Sequence, residues 1–121
     1  MQPEERDAAH LWDMLDAARA ALRFTEGLSL QQFLGDENEM ARVAVERKLE
    51  VIGEAARRLS AAFRENHPDL PWRDIIGLRN VISHEYDRVS YEEVYRIVRE
   101  RVPALAAQLA LLVPRPPATR E

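Results

Sequence analysis

The sequence contains no cysteine, which excludes a disulfide framework and thiolate chemistry. Histidine is scarce: His10, His67 and His84 are the only three, and a buried zinc site is not expected from them. Lysine is almost absent. Lys48 stands alone among 17 basic residues, and the rest are arginines. Arginine suits bidentate phosphate contacts, although genomic codon bias is the plainer reading of the excess. A surplus of positive charge is lacking too, since the formal net charge is -4. Any nucleic-acid site must therefore be a local patch rather than a whole-surface field. No stretch reaches the roughly 18 apolar residues of a membrane span; the longest, ALAAQLALLV, is interrupted by Gln108. The opening MQPEERDAAHLWDML has no basic segment followed by an apolar run, so it does not read as a signal peptide. A cytoplasmic location is the default expectation.

What is present describes a globular chain. Of 121 residues, 46% are hydrophobic and 31% charged, a balance that suits one compact core. One helical domain is expected over residues 1–113, with a flexible tail over 114–121. Leu11, Leu15, Ala18, Leu22 and Thr25 recur at steps of three and four, predicting a first helix from about Pro3 or Asp7 to Glu26. Gly27 should end it, and Ser29 should cap a short turn closed by Gly35. Asp36 with Glu39 fits a capping box, opening a long helix to about Asn66. Its buried seam is Val45, Leu49, Ile52, Ala56, Leu59 and Phe63, suited to antiparallel packing. Glu46, Glu50 and Glu54 form an acidic row on another face. Such a row costs a little, and either solvation or salt bridges to arginines elsewhere would offset it.

The HPDLPW segment breaks the chain. WRDIIGLRNVISHEY then reads as one helix or two short ones, with Gly77 as the weak point. Ser90 with Glu93 is a second capping box. In the last helix, Val94, Val98, Val102, Leu105, Leu109 and Leu112 face inward, and Pro103 should kink or restart it. No strand pattern and no internal repeat is found. The fold class is all-α: an antiparallel bundle of four to five helices.

The chemistry gathers in GLRNVISHEYDRVS, residues 77–90. Asn80 and His84, four apart, share a helix face. Arg79 and His84 are five apart, offset by roughly 140° on an ideal helix. A change of course at Gly77, or a two-fold dimer with both copies across one groove, would let them meet. An imidazole moves protons near neutral pH. A guanidinium keeps its charge and matches phosphate oxygens with a rigid fork. Together they suit metal-free cleavage of an RNA phosphodiester, leaving a 2′,3′-cyclic phosphate and a 5′-hydroxyl. The competing reading is a surface network in which Arg79 pairs with Asp74, Asp87 or Glu85. His67 reads as structural and His10 as a surface residue of the first helix. Trp12 reads as an ordinary core-edge residue.

PWRDIIGLRNVISHEY, with ERKLEVIGEAARRLS and HPDLPW before it and VSYEEVYRIVRERVPALAAQL after it, resembles the HepT-like toxin family of the HEPN superfamily. That family's motif is arginine, four residues, histidine, one residue, tyrosine; Arg79, His84 and Tyr86 fill it, and Asn80 follows the arginine. The resemblance implies a homodimeric, metal-independent endoribonuclease that cuts cellular RNA, including transfer RNA, as the toxin of a toxin–antitoxin pair. It implies no cofactor for this chain. Its partner would be a minimal nucleotidyltransferase antitoxin that uses ATP to place AMP on Tyr86. The alternative is a non-catalytic helical partner subunit of that nucleotidyltransferase. Candidates for an RNA patch are Arg47, Arg73 and Arg88, within a wider set of Arg42, Arg57, Arg58 and Arg64.

Overall fold

Helix α1 spans Pro3–Thr25 and buries Leu11, Met14, Leu15, Ala18 and Ala21, the stripe its periodicity demands. Thr25 closes that stripe fully buried, and its hydroxyl lies 3.2 Å from the carbonyls of both Ala21 and Leu22. The helix stops where Gly27 adopts φ 76°, a conformation that penalises any side chain. The structure, a computed structural model, describes residues 3–80 and 90–114.

Helix α2 (Leu30–Phe33) is a single turn held by a complete capping box. The Ser29 hydroxyl accepts from the Gln32 amide at 3.1 Å, and the Gln32 side chain accepts from the Ser29 amide at 2.9 Å. The turn drives Phe33 into the core, fully buried, against Tyr91 and Tyr95. The capping box expected at Asp36 and Glu39 does not form. Asp36–Asn38 is a 3-10 turn, and Asn38 precedes the next helix without a side-chain cap. Donors are drawn to the carbonyls left free after α2. Arg42 Nη1 donates to Phe33 O at 2.8 Å and to Gly35 O at 2.6 Å; Asn38 Nδ2 donates to Gln32 O at 2.8 Å.

Helix α3 (Glu39–Arg58) buries Val45, Leu49, Ile52 and Ala56 along α1. The expected continuation to Asn66 breaks at Leu59, whose ψ of 146° is extended. Ser60 then caps α4 (Ala61–Asn66), its hydroxyl accepting from Phe63 N at 3.0 Å. Asp7 supplies the competing interaction: its two oxygens accept from the Ser60 amide and the Ser60 hydroxyl, each at 2.8 Å. This pins the start of α1 to the end of α3, so the two run antiparallel. Asp7→Ala should remove both bonds and lower stability by about 1–2 kcal/mol, measured as the urea midpoint at unchanged slope.

Helix α5 (Trp72–Gly77) leads into a 3-10 turn at Leu78–Asn80, so the course does change at Gly77. Trp72 is half-buried, and its Nε1 donates to His67 O at 2.8 Å. The His67 ring packs on Phe63 at 4.4 Å, the structural part expected of it. Ser90 caps α6 (Tyr91–Glu100), accepting from Glu93 N. Pro103 restarts the helix rather than kinking it: α7 (Val102–Leu112) carries proline in its first turn, where no intrahelical donor is lost. Tyr95 donates to Leu28 O and Arg99 to the Thr25 hydroxyl, tying α6 to the end of α1.

The all-α bundle is as expected. The segmentation is finer than four to five helices, because extended or cap geometry intervenes at Leu59 and Arg101. Among the described residues there are seven α-helical segments, two 3-10 turns and no strand. No helix among them is long and apolar enough to cross a membrane.

Candidate functional site

Gly53, midway along the last turns of α3, decides where the 3-10 turn lies. A Cβ there would stand 2.3 Å from Arg79 N, 2.9 Å from Ile76 O and 3.0 Å from Arg79 Cα. The backbone of residues 76–79 therefore rests directly on the helix, a close approach only glycine permits. Buried Ile75 and Leu78 anchor the segment from the core side. The base of the Arg79 side chain is thereby fixed against α3.

Its charge meets Glu54, the next residue on that helix. Arg79 Nη1 lies 3.7 Å from Glu54 Oε2, an ion pair beyond hydrogen-bond range. The same carboxylate accepts from Arg57 Nη2 at 2.6 Å and Arg58 Nε at 3.3 Å. The hydrogen bond from Arg57, aided by the charges of Arg57 and Arg58, holds Glu54 well below the usual carboxylate range, to about 2, against a smaller opposing effect of desolvation. Arg79 Nε is buried without a hydrogen-bond partner among the described residues, while the side chain as a whole remains 38% exposed.

Arg79, Asn80, Arg47, Glu50, Glu54 and Arg58 line an open hollow of about 390 Å³. Arg47, Glu54 and Arg58 also border a second hollow of about 250 Å³, which reaches His10 and Asp13 on α1. The two form one trough over α1, α3 and the 3-10 turn. His10, read from sequence as a surface residue, is half-buried on its wall. No local pattern signals this, because the register of α1 against α3 is set by packing.

The acidic row is resolved residue by residue. Glu46 accepts from the Tyr91 hydroxyl at 2.6 Å; Glu50 pairs with Arg47 at 3.6 Å; Glu54 gathers its three arginines. Desolvation, with the Glu46 bond second, pushes the Tyr91 phenol up to about 12. Of the patch candidates, Arg47 reaches the trough and Arg73 is exposed on α5 away from its lining. Arg42 is committed to the carbonyls after α2. His84, Tyr86 and Arg88, with Glu85 and Asp87, lie outside the described residues. The partner of Arg79 among the described residues is Glu54, not Asp74. Sequence reasoning also missed Arg19, Arg23 and Arg99, which border a hollow of about 470 Å³ between α1 and α6. Among the described residues, no group of three or more His, Cys, Asp or Glu could hold a metal ion.

Comparison with known proteins agrees with the family resemblance. The chain is 38% identical over 104 residues to "Putative RNase MJ1380" of Methanocaldococcus jannaschii, covering 86% of this chain and 94% of that one. It is 31% identical over 103 residues to "Probable ribonuclease HepT" of Thermococcus cleftensis, covering 85% and 92%. No solved structure was found to match. The family model described as "Ribonuclease HepT-like" matches residues 14–112, nearly the whole bundle. The chain therefore belongs to the HepT-like ribonuclease family.

Proposed function

We propose that this protein is a toxin-type endoribonuclease that cleaves RNA, transfer RNA included, without a metal ion. The observation that carries the reading is Arg79, the family-motif arginine, held by its backbone on Gly53 at the edge of an open trough. His84 takes the proton of the ribose 2′-hydroxyl, and the 2′-oxygen attacks phosphorus. Arg79 stabilises the negative charge that grows on the phosphorane oxygens. The bond to the 5′-oxygen breaks and that oxygen gains a proton, leaving a 2′,3′-cyclic phosphate and a 5′-hydroxyl. Asn80 orients the imidazole or the phosphate. The two proton movements are shared between the imidazoles of a homodimer. Support for such a dimer comes from the exposed face of α3. Met40 and Val43, 87% and 54% exposed, continue at helical spacing into Arg47, Glu50 and Glu54, so one apolar stripe leads into the trough.

The regulatory half of the proposal is that a nucleotidyltransferase antitoxin transfers AMP from ATP to Tyr86. Added phosphate and bulk seven positions along the chain from Arg79 would repel an RNA backbone and block access, as other charge-adding modifications do.

Purified protein in EDTA should cleave RNA to those ends, and His84→Ala should not. Equal cleavage by both would remove the enzymatic assignment. The chain would then be left as a docking subunit of the nucleotidyltransferase. Intact mass after co-expression with that enzyme should rise by adenylate increments, and Tyr86→Phe should abolish them and leave cells unprotected from growth arrest.

A further inference from the structure

The geometry points to Glu54 as the positioning residue of Arg79: a carboxylate pinned by Arg57 and Arg58 that holds the motif guanidinium in its firing direction while occupying the place of a substrate oxygen. This rests on the ribonuclease reading above and deepens it.

Three observations converge. Arg79 is tethered at its backbone by Gly53, but a long side chain from a fixed root still has many rotamers. Its Nε is buried with no hydrogen-bond partner among the described residues, so none of them orients it there. Glu54, one residue beyond Gly53, is its charge partner among the described residues.

That carboxylate is itself held by two neighbouring arginines. Arg57 at 2.6 Å and Arg58 at 3.3 Å, three and four positions on along the same helix, converge on Glu54 Oε1. Arg79 approaches the other oxygen, Oε2. Arg57 Nε also donates to Oε2 at 3.5 Å, so the oxygen that faces Arg79 is held as well. The 3.7 Å separation is long for a charge-assisted hydrogen bond, so a phosphate oxygen in the same hollow competes for the guanidinium on favourable terms. Glu54 therefore acts twice, with opposite consequences. Its negative charge weakens attraction for the RNA backbone, and its aim on Arg79 speeds the chemical step. An ordinary surface ion pair contributes little to either.

The opposition supplies the test. Full-length wild type, Glu54→Gln, Glu54→Asp and Glu50→Gln are compared on a short RNA. Binding is measured separately on the same oligonucleotide carrying a 2′-deoxyribose at the cleavage position. Glu50 borders the same hollow one turn away and pairs with Arg47, not Arg79, so Glu50→Gln removes an equal charge without touching the aim. Glu54→Gln should bind several-fold tighter than wild type while kcat falls about tenfold. Glu50→Gln should tighten binding alone, and Glu54→Asp should recover part of kcat. Wild-type kcat in Glu54→Gln overturns the inference, as does an equal loss in Glu50→Gln.

A readout that needs no activity separates this from the ribonuclease reading. The Arg79 Nε–H resonance, assigned by its loss in Arg79→Ala, should shift or broaden in Glu54→Gln and stay in place in Glu50→Gln. If it moves so while no variant cuts RNA, the positioning stands and the ribonuclease reading falls. If it is unmoved in Glu54→Gln, the positioning falls whatever the cleavage.

Discussion

Gly53→Ala should destabilise the protein by about 3 kcal/mol, the upper end of what overpacking costs, and should abolish whatever activity depends on Arg79. The added methyl would sit 2.3 Å from a backbone nitrogen and 2.9 Å from a backbone oxygen. Neither is the end of a flexible side chain that can swing aside. Relief requires the whole 3-10 turn to lift from α3, taking Leu78 out of the core and Arg79 away from Glu54. Alanine's better helix propensity returns only about 1 kcal/mol. Gly77→Ala is the control. No atom of the described residues lies within 4 Å of a Cβ at Gly77, and its φ is not positive, so alanine there should be neutral or stabilising by up to about 1 kcal/mol. Urea unfolding of the two variants decides the matter; a wild-type midpoint for Gly53→Ala would mean that α3 and the turn are not in contact as described.

The second large effect concerns Arg79. Arg79→Ala should reduce kcat/KM by about 10²–10³, the usual consequence of losing one charge-stabilising donor at a reacting centre. Global stability should scarcely change, because the side chain is half exposed, its ion pair is long, and exposed pairs contribute little. Arg79→Lys should fall between, keeping the charge but losing the planar fork. Cleavage at wild-type rate by Arg79→Ala would remove the guanidinium from the mechanism.

The pH profile of the same reaction is informative because Glu54 is excluded from it. Its pKa is depressed to about 2, below the ordinary carboxylate value. Its ionised, arginine-holding form is therefore fully present above about pH 5 and lost only as pH falls through about 2. An acid limb of cleavage between about pH 5 and 7 must come from another group, and an imidazole, titrating near 6.5, is the expected one.

The helices themselves were legible in the residues. The buried stripes of α1 and α3, the stop at Gly27, the Ser29 cap and the restart at Pro103 depend on neighbours a few positions apart, where spacing and backbone preference carry the information. Arg79 and Asn80 stand in a contiguous run that resembles the family's motif. Local reading failed wherever a distant group intervened. Leu59 ends α3 because Asp7, 53 positions from Ser60, takes the Ser60 donors. The capping box at Asp36 and Glu39 is absent where Arg42 and Asn38 serve the carbonyls after α2.

The amino-acid sequence by itself determined the all-α class and the family, since each is written in short-range periodicity or in a contiguous run of residues, and it singled out Arg79 as the candidate arginine. Tertiary structure decided what surrounds that arginine. From the chain alone Gly77 looked like the glycine that mattered, whereas Gly53 is the one with backbone pressed against it. Glu54 was one member of an acidic row, solvated or paired with arginines elsewhere, and among the described residues it is the partner of Arg79. Both outcomes follow from the rotation and register of α3 against the 3-10 turn, which core packing sets and no local pattern encodes.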